Sequence, residues 1–395
     1  MADTSMLMKP AKGSIVNDPR ARSLFYQVVL AAIVLYVLYG AYTNTSRHMA
    51  DSHIPTGFGF WNQVAGFDIN QALIPYSQLS TYGQAFWVGL LNTILVAVLG
   101  IILTTIIGFV VGIARLSPNW IVAKVATVYV EVLRNVPLLL QLLFWYNAVL
   151  KPLPNPKQSL AIPGGIYLNN RGIIVPDPVF GSGASLVGLA FLVGVAGSLA
   201  FWRWAKNRQR RTGQQAPTVR VALGLIIGLP LIAYFAAGEP ITFNVPVLKG
   251  FNFQGGRQIY PELAALLLGL SVYTASFIAE IVRAGIQSVS RGQSEAANAL
   301  GLNAKQTLRL VVIPQAMRVI IPPLTSQYLN LTKNSSLAVF IGYPDLVAVF
   351  AGTVLNQTGA AVQVMAITMA VYLAISLVTS FAMNLFNKRN ALVER

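Results

Sequence analysis

The chain contains no cysteine. Disulfides, thiolate metal sites and cysteine nucleophiles are thereby excluded, and thiol chemistry gives no clue to compartment. Histidine is almost as scarce, with His48 and His53 the only two. Two imidazoles in one predicted loop seldom complete a metal site, so none is expected. Charged residues make up only 10% of the chain, against about 25% in soluble domains. Acids are the scarcer sign, 12 against 28 Lys and Arg, giving a net charge of +16. No Gly-x-Ser-x-Gly elbow, His-Glu-x-x-His helix or Gly-x-x-x-x-Gly-Lys-Ser/Thr phosphate loop occurs. A membrane-embedded enzyme is disfavoured, no cofactor is expected on this chain, and any nucleotide energy must come from ATP and Mg²⁺ on another chain.

What is abundant is apolar. Hydrophobic residues make up 55% of the sequence, in runs that reach the roughly 20 residues needed to cross a bilayer as helix. Spans are expected at about 23–42, 85–114, 122–150, 186–204, 221–237, 263–281, 319–343 and 361–386. The fold class is therefore an all-α polytopic membrane protein of about eight transmembrane helices. The first run is too long for a signal-peptide core. Segment 1–22 reads as a disordered basic tail, 43–84 as a polar outer loop holding both histidines, and 151–185 as a proline-rich loop. Gly108 and Gly112 have the spacing that lets two helices approach closely; Gly224 and Gly228 repeat it more weakly.

The basic excess is a topology signal. With both termini inside, most Lys and Arg fall on the cytoplasmic side, in the tails, at 115–124, at 203–220 and at 283–318. Only Arg47, Lys151, Lys157, Arg171, Lys249 and Arg257 fall in outer loops. That bias fits the positive-inside rule and rejects the inverted orientation. Nucleic acid is not an expected partner; membrane lipid is.

Polar residues inside apolar spans need a reason, because ionisable groups are expensive there. Glu131 and Arg134 share a helix face, either as an internal ion pair or as the lining of a polar cavity. Pro137 follows, so this helix is expected to kink or break. The stretch from Val319 carries Pro322 and Pro323, then Lys333, Asn334, Ser335 and Ser336. Such a stretch is tolerated at membrane depth only against protein or a watery pathway; the alternative for Lys333 is snorkelling to an interface. Arg134 and Lys333 together would suit an anionic or zwitterionic solute.

The most polar internal segment is Ser290-Arg291-Gly292-Gln293-Ser294-Glu295-Ala296-Ala297-Asn298-Ala299-Leu300-Gly301-Leu302, leading to Val311-Val312-Ile313-Pro314-Gln315. Ser294 is expected to cap a short helix starting at Glu295. Gly301 is expected to close it in the left-handed region, and Pro314 to block continuation of the next helix. The result is a small smooth knob on the cytoplasmic side. A solvated connecting helix is the plainer alternative.

These residues resemble the Glu-Ala-Ala loop of permease subunits in ATP-binding-cassette importers, although Val311 and Ile313 depart from its usual Ile-x-Leu-Pro ending. Asn92-Thr93, Glu131-Val132-Leu133-Arg134-Asn135-Val136-Pro137-Leu138-Leu139-Leu140-Gln141, Ala279-Glu280-Ile281-Val282-Arg283-Ala284-Gly285-Ile286 and Leu331-Thr332-Lys333-Asn334-Ser335-Ser336-Leu337-Ala338 are similar to the polar-amino-acid branch, the histidine/glutamine type. The insertion at 151–259 resembles that of general L-amino-acid permeases. The resemblance implies a type I permease core in two parts, 85–150 and 260–386, split by an insertion at 151–259 with an extra helix pair. Segments 1–22 and 387–395 are then cytoplasmic tails, 23–84 the first helix with its outer loop, and 284–318 the coupling loop.

It further implies a bacterial inner-membrane complex with a cytoplasmic ATPase dimer, a second and homologous permease subunit forming a heterodimer, and a periplasmic amino-acid-binding protein. Glu295, Ala296, Ala297, Gly301 and Pro314 would couple to the ATPase. Glu131, Arg134, Gln141, Lys333, Asn334, Ser335 and Ser336 would line the solute path. Departures at Asn135-Val136 and at Asn334, where the family often has other residues, keep substrate preference open. The alternative function is an ion-coupled secondary amino-acid transporter, for which Glu131 and Glu280 are the only acids well inside spans.

Overall fold

The structure is a computed structural model that describes residues 19–51, 55 and 57–390. Residues 1–18 of the tail expected at 1–22, His53 and residues 391–395 lie outside the described residues, and residues 19–22 belong to the first helix rather than to a tail. Among those described, seven helices are long and apolar enough to cross a membrane, or eight when one bent pair is counted as a span.

Helix α1 (Pro19–Asp51) runs past the expected end of its span and takes in His48. Helix α2 (Tyr82–Ala114) starts at a capping box, in which Thr81 Oγ1 accepts from Gln84 N and Gln84 Oε1 accepts from Thr81 N. Helix α3 (Trp120–Asn135) stops at Pro137, and α4 (Leu138–Leu143) continues through a π-helical turn to Leu150 at 107° to it. Of the kink or break expected at Pro137, the structure has the break. Helix α8 (Pro261–Gln287) follows the insertion. Helices α9 (Arg291–Ala299) and α10 (Ala304–Thr307) precede α11 (Ile313–Asn334). The last long helix, α13 (Ala361–Asn390), is preceded by a π-helical segment, Val347–Val354, and a short α12 (Leu355–Thr358).

Lipid is as apolar as leucine, so helices here associate by close packing more than by escape from water. Helix α2 lies along α8 because its glycines leave room: a Cβ on Gly108 would sit 2.6 Å from Ile278, and one on Gly112 2.8 Å from the Ala279 carbonyl oxygen. On its other flank α8 meets α11, where Gly285 admits the Ile320 side chain. Ile278, Val282, Ala316, Ile320, Leu324 and Tyr328 form the cluster between them. At the opposite end of α2, Phe60, Tyr82 and Phe86 pack on Leu346 and Phe350. The bundle therefore has one end bearing residues 288–312, the helical-loop end, and another bearing the residue 343–350 turn.

The insertion holds the helix pair expected from sequence, but its flanking segments are not plain loops. Its long helices are α5 (Ala184–Thr212) and α6 (Thr218–Leu223) with α7 (Leu229–Ala236), joined through a π-helical turn. They pack chiefly on one another. The contact uses Gly194, whose Cβ would fall on the Leu225 carbonyl; Gly224 and Gly228, the expected packing pair, face open space.

The flanking segments fold into strands: β1 (Leu160–Ile162), β2 (Ile166–Asn169), β3 (Gly172–Val175), β4 (Asp177–Phe180), β5 (Ile241–Asn244), β6 (Val247–Lys249), β7 (Asn252–Gln254) and β8 (Arg257–Ile259). The main antiparallel sheet has the order β1-β2-β3-β8, with Ile173 opposite Ile259 just before α8 begins. Separate pairs β4-β5 and β6-β7 complete a cap. An Arg257–Asp177 ion pair of 2.9 Å ties β8 to β4. These strands are three or four residues long, too short to show an alternating pattern. This cap lies at the end of α8 away from the helical loop.

Candidate functional site

The short helix expected at Glu295 exists, but it starts four residues earlier. Ser290 is its N-cap, with extended φ and ψ and no side-chain capping bond, and Ser294 and Glu295 lie inside it. Gly292 is tolerated in the first turn, and the alanines carry the helix on. Closure occurs as expected. Gly301 has φ +80°, and Leu302 N reaches back to the Ala297 carbonyl at 3.1 Å, the six-to-one bond of a left-handed helix end.

Ala297 is the buried member of the helix, while Glu295, Ala296 and Gly301 are exposed. Leu300 beside them is 83% exposed, an apolar knob left uncovered among the described residues. Asn303 and Gln306 form a reciprocal capping box that starts α10, and Gln315 Nε2 donates to Gln293 Oε1 at 3.3 Å. Pro314 does not stop the next helix. The helix runs unbroken from α10 into α11 through a π-helical turn at Leu308–Val312, and that wider turn accommodates Pro314 and its missing N–H.

Both ends of this segment are rooted in packed helix. Beside Gly112, Arg115 at the end of α2 pairs with Glu280 of α8, which also accepts from Arg283 Nε at 3.2 Å. Arg283 in turn donates to Gln287 Oε1 at 2.6 Å. Glu280 is thus committed between two guanidinium groups. The Gly285–Ile320 contact joins the last turns of α8 to the first turns of α11.

The predicted solute-path residues divide into groups. Glu131 and Arg134 are exposed on α3 and form no ion pair with each other. Arg134 instead lies over the Phe277 ring of α8 at 5.1 Å, a cation–π contact. Gln141 is buried, and its amide donates to the Leu133 and Val136 carbonyls at 2.9 Å each. Those carbonyls lose their helical partners at Pro137, so the Gln141 amide N–H groups hold the break together. Ser335 is buried and donates to the Thr332 carbonyl at 2.7 Å. Asn334 is half-buried.

Lys333 and Ser336 open onto a cavity of about 460 Å³, together with Val347 and with Thr368, Met369, Tyr372, Leu373 and Ser376 of α13. Arg134 is not among its lining residues, so the two cations expected around one cavity stand apart. The α13 contribution was legible: Thr368, Tyr372 and Ser376 recur every four residues, a polar stripe on one helix face. The segment 344–360 carried no such signal, because its helix is short and apolar.

Above this cavity lies a buried polar network. Asn92 Nδ2 donates to the Gln71 and Pro344 carbonyls at 2.8 and 2.9 Å, and Thr93 Oγ1 accepts from Leu346 N at 3.0 Å. Tyr343 OH donates to the Asn92 carbonyl at 3.2 Å. Asp345, wholly buried, accepts from Ala348 N at 2.8 Å and from Tyr372 OH at 3.2 Å, and among the described residues it has no ion pair. Burial pushes its carboxyl up to about 7, against the opposing pull of those donors. Asn92 and Thr93 therefore bind the start of α2 to the 343–350 turn.

Known proteins resemble this chain along nearly its whole length. It is 53% identical to the general L-amino acid transport system permease protein AapQ of Rhizobium johnstonii, over 97% of this chain and 95% of that one. It is 51% identical to the putative amino-acid ABC transporter permease protein YhdX of Escherichia coli, over 97% and 98%. The glutamate/glutamine/aspartate/asparagine transport system permease protein BztB of Rhodobacter capsulatus is 42% identical, over 96% of each chain. These alignments run through the insertion as well as the core. With residues 100–391 matching the family model, the chain belongs to the binding-protein-dependent transport system inner membrane components.

Proposed function

We propose that this chain is the permease subunit of an ATP-driven importer of L-amino acids. The observation that carries it is the closed helix Arg291–Ala299, presenting Glu295, Ala296 and Leu300 from a root packed between α8 and α11. A small smooth knob on a stiff base transmits force into the bundle. Its receiver is a groove on a separate ATPase, present as a dimer, which binds the ATP and Mg²⁺ for which this chain has no phosphate loop. The substrate class follows that of these relatives, all amino-acid permeases.

The remaining assignments follow from that reading. The helical-loop end is cytoplasmic, with both termini on the same side, in keeping with the basic bias of the sequence. The β cap faces the compartment where a binding protein delivers the amino acid. A homologous second permease subunit covers the open side of the cavity at Lys333, Ser336 and Tyr372, and the solute passes there. Reconstitution tests this. The chain alone in vesicles should take up no labelled amino acid under an ion gradient, and uptake should appear with ATP once ATPase, companion permease and binding protein are added. Ion-driven uptake by the chain alone would overturn the reading in favour of a secondary transporter.

A further inference from the structure

The insertion carries a basic cluster that the transport reading leaves without a task. Arg203, Lys206, Arg208, Arg210 and Arg211 occupy the C-terminal turns of α5 and Arg220 lies in α6, and no Asp or Glu occurs from 178 to 238. Among the described residues none of these cations is in an ion pair. Two are stacked on tryptophans instead: Lys206 over Trp202 at 5.1 Å and Arg208 over Trp204 at 5.4 Å.

Helix length fixes their depth. At about 1.5 Å per residue, Trp202 lies roughly 27 Å along α5 from Ala184, close to the ~30 Å thickness of the hydrocarbon layer. The tryptophans thus stand at the interface, half-exposed, and the cations just beyond it at headgroup level.

A cavity of about 420 Å³ opens at this level, lined by Trp202, Lys206, Gln209, Gln215 and Thr218 of the insertion and by Arg309. Arg309 belongs to the π-helical turn between α10 and α11, part of the proposed coupling segment. Two cations from separate parts of the chain thus converge with amide and hydroxyl donors on one space, beside apolar helix. We infer that this cavity binds the phosphate of an anionic phospholipid headgroup, which bridges the inserted helix pair to the coupling segment. The phosphate meets Lys206 and Arg309, Gln209, Gln215 and Thr218 supply further donors, and the acyl chains lie along α5 in the bilayer. The inserted helices pack chiefly on each other, so a lipid here joins them to the moving part at the headgroup level. This inference rests on the proposed cytoplasmic placement of the helical-loop end, but its primary readout does not require transport.

The test uses the complete transporter in phosphatidylcholine nanodiscs doped with phosphatidylglycerol, with retained phosphatidylglycerol counted by native mass spectrometry. Each juxtamembrane cation contributes about a fivefold preference for anionic lipid, so Lys206→Gln with Arg309→Gln should lower retention roughly thirtyfold. Arg210→Gln with Arg211→Gln removes the same charge outside the cavity and should change it little. Lys206→Arg with Arg309→Lys should restore retention. ATP-driven uptake in phosphatidylglycerol vesicles should fall in step with retention. Undiminished retention in the Lys206/Arg309 variant would overturn the inference, as would equal loss in both charge-removing variants, which marks diffuse attraction. Displacement of the lipid by inorganic phosphate would assign the cavity to the free anion and overturn the lipid. A transporter that retains the lipid site but shows no ATP-driven uptake would count against the transport reading alone.

Discussion

Gly301 gives the sharpest test of the short helix. Its φ of +80° is left-handed, and a Cβ placed on it meets nothing within 4 Å. Substitution there therefore costs conformational energy without a clash, and the surrounding packing is untouched. A left-handed non-glycine residue costs roughly 1–2 kcal/mol, with a β-branched residue at the upper end or beyond. That is a loss of about five- to thirtyfold in the ratio of closed to open helix end. Asn tolerates this region best among the other residues. ATP-driven uptake by the reconstituted complex should thus fall in the order Gly, Asn, Ala, Val at position 301, while membrane insertion and thermal stability of the purified chain stay unchanged. Gly292→Ala is the control, since Gly292 also faces open space but carries no positive φ. Wild-type uptake by Gly301→Val, or an equal loss from Gly292→Ala, would refute the argument that a left-handed closure sets the knob.

Other tests address the bundle. Gly112→Val places a side chain against the Ala279 carbonyl and Val282, and should destabilise the chain by about 1–3 kcal/mol, read as a lower melting temperature in detergent. Gln141→Leu strips the two carbonyls at the α3–α4 break of their donors, at about 1–3 kcal/mol, with a matching fall in melting temperature and no selective rise in KM. Lys333→Ala should shift uptake KM through the cavity it lines, whereas Arg134→Ala, stacked on Phe277, should act mainly on stability; the reverse pattern would move the solute path to α3. Asp345 has its carboxyl raised from 3.8 to about 7, so its folded state holds a proton that the unfolded chain releases. Its contribution is greatest at low pH and is lost as pH rises from about 4 to about 7; Asp345→Asn should flatten the pH dependence of melting over that window.

Much of this was readable from residue order. The apolar runs, the break at Pro137, the close-packing pair Gly108 and Gly112, and the left-handed Gly301 each follow from local chemistry, and each is present. The departures also have local names. Ser290, not Ser294, begins α9, because a run of helix formers accepts an earlier start at little cost. Pro314 sits in the first turn of α11 because a π-helical turn absorbs the misfit. Gly224 and Gly228 face open space, since Gly194 on the opposing helix makes the close approach instead.

Side-chain convergence was less legible. Glu131 and Arg134 share a helix face yet do not pair, because the Phe277 ring of α8 offers the guanidinium another partner. Gln141, expected on the solute path, gives its amide N–H groups to the backbone carbonyls at the Pro137 break. The strands of the insertion escaped notice because pairs such as Ile173 and Ile259 are brought together only across two intervening helices.

The division has a physical cause. In a bilayer each spanning segment must satisfy its own backbone hydrogen bonds, so helices, their limits and the sidedness of their charges are written locally in the order of residues. Which side chains meet depends on how glycines let the finished helices approach, and that is a property of pairs. Hence the eight spans and the Glu-Ala-Ala helix could be read in advance, whereas the Arg115–Glu280–Arg283 root, the Lys333–Tyr372 cavity and the Lys206–Arg309 pocket exist only once those helices are packed.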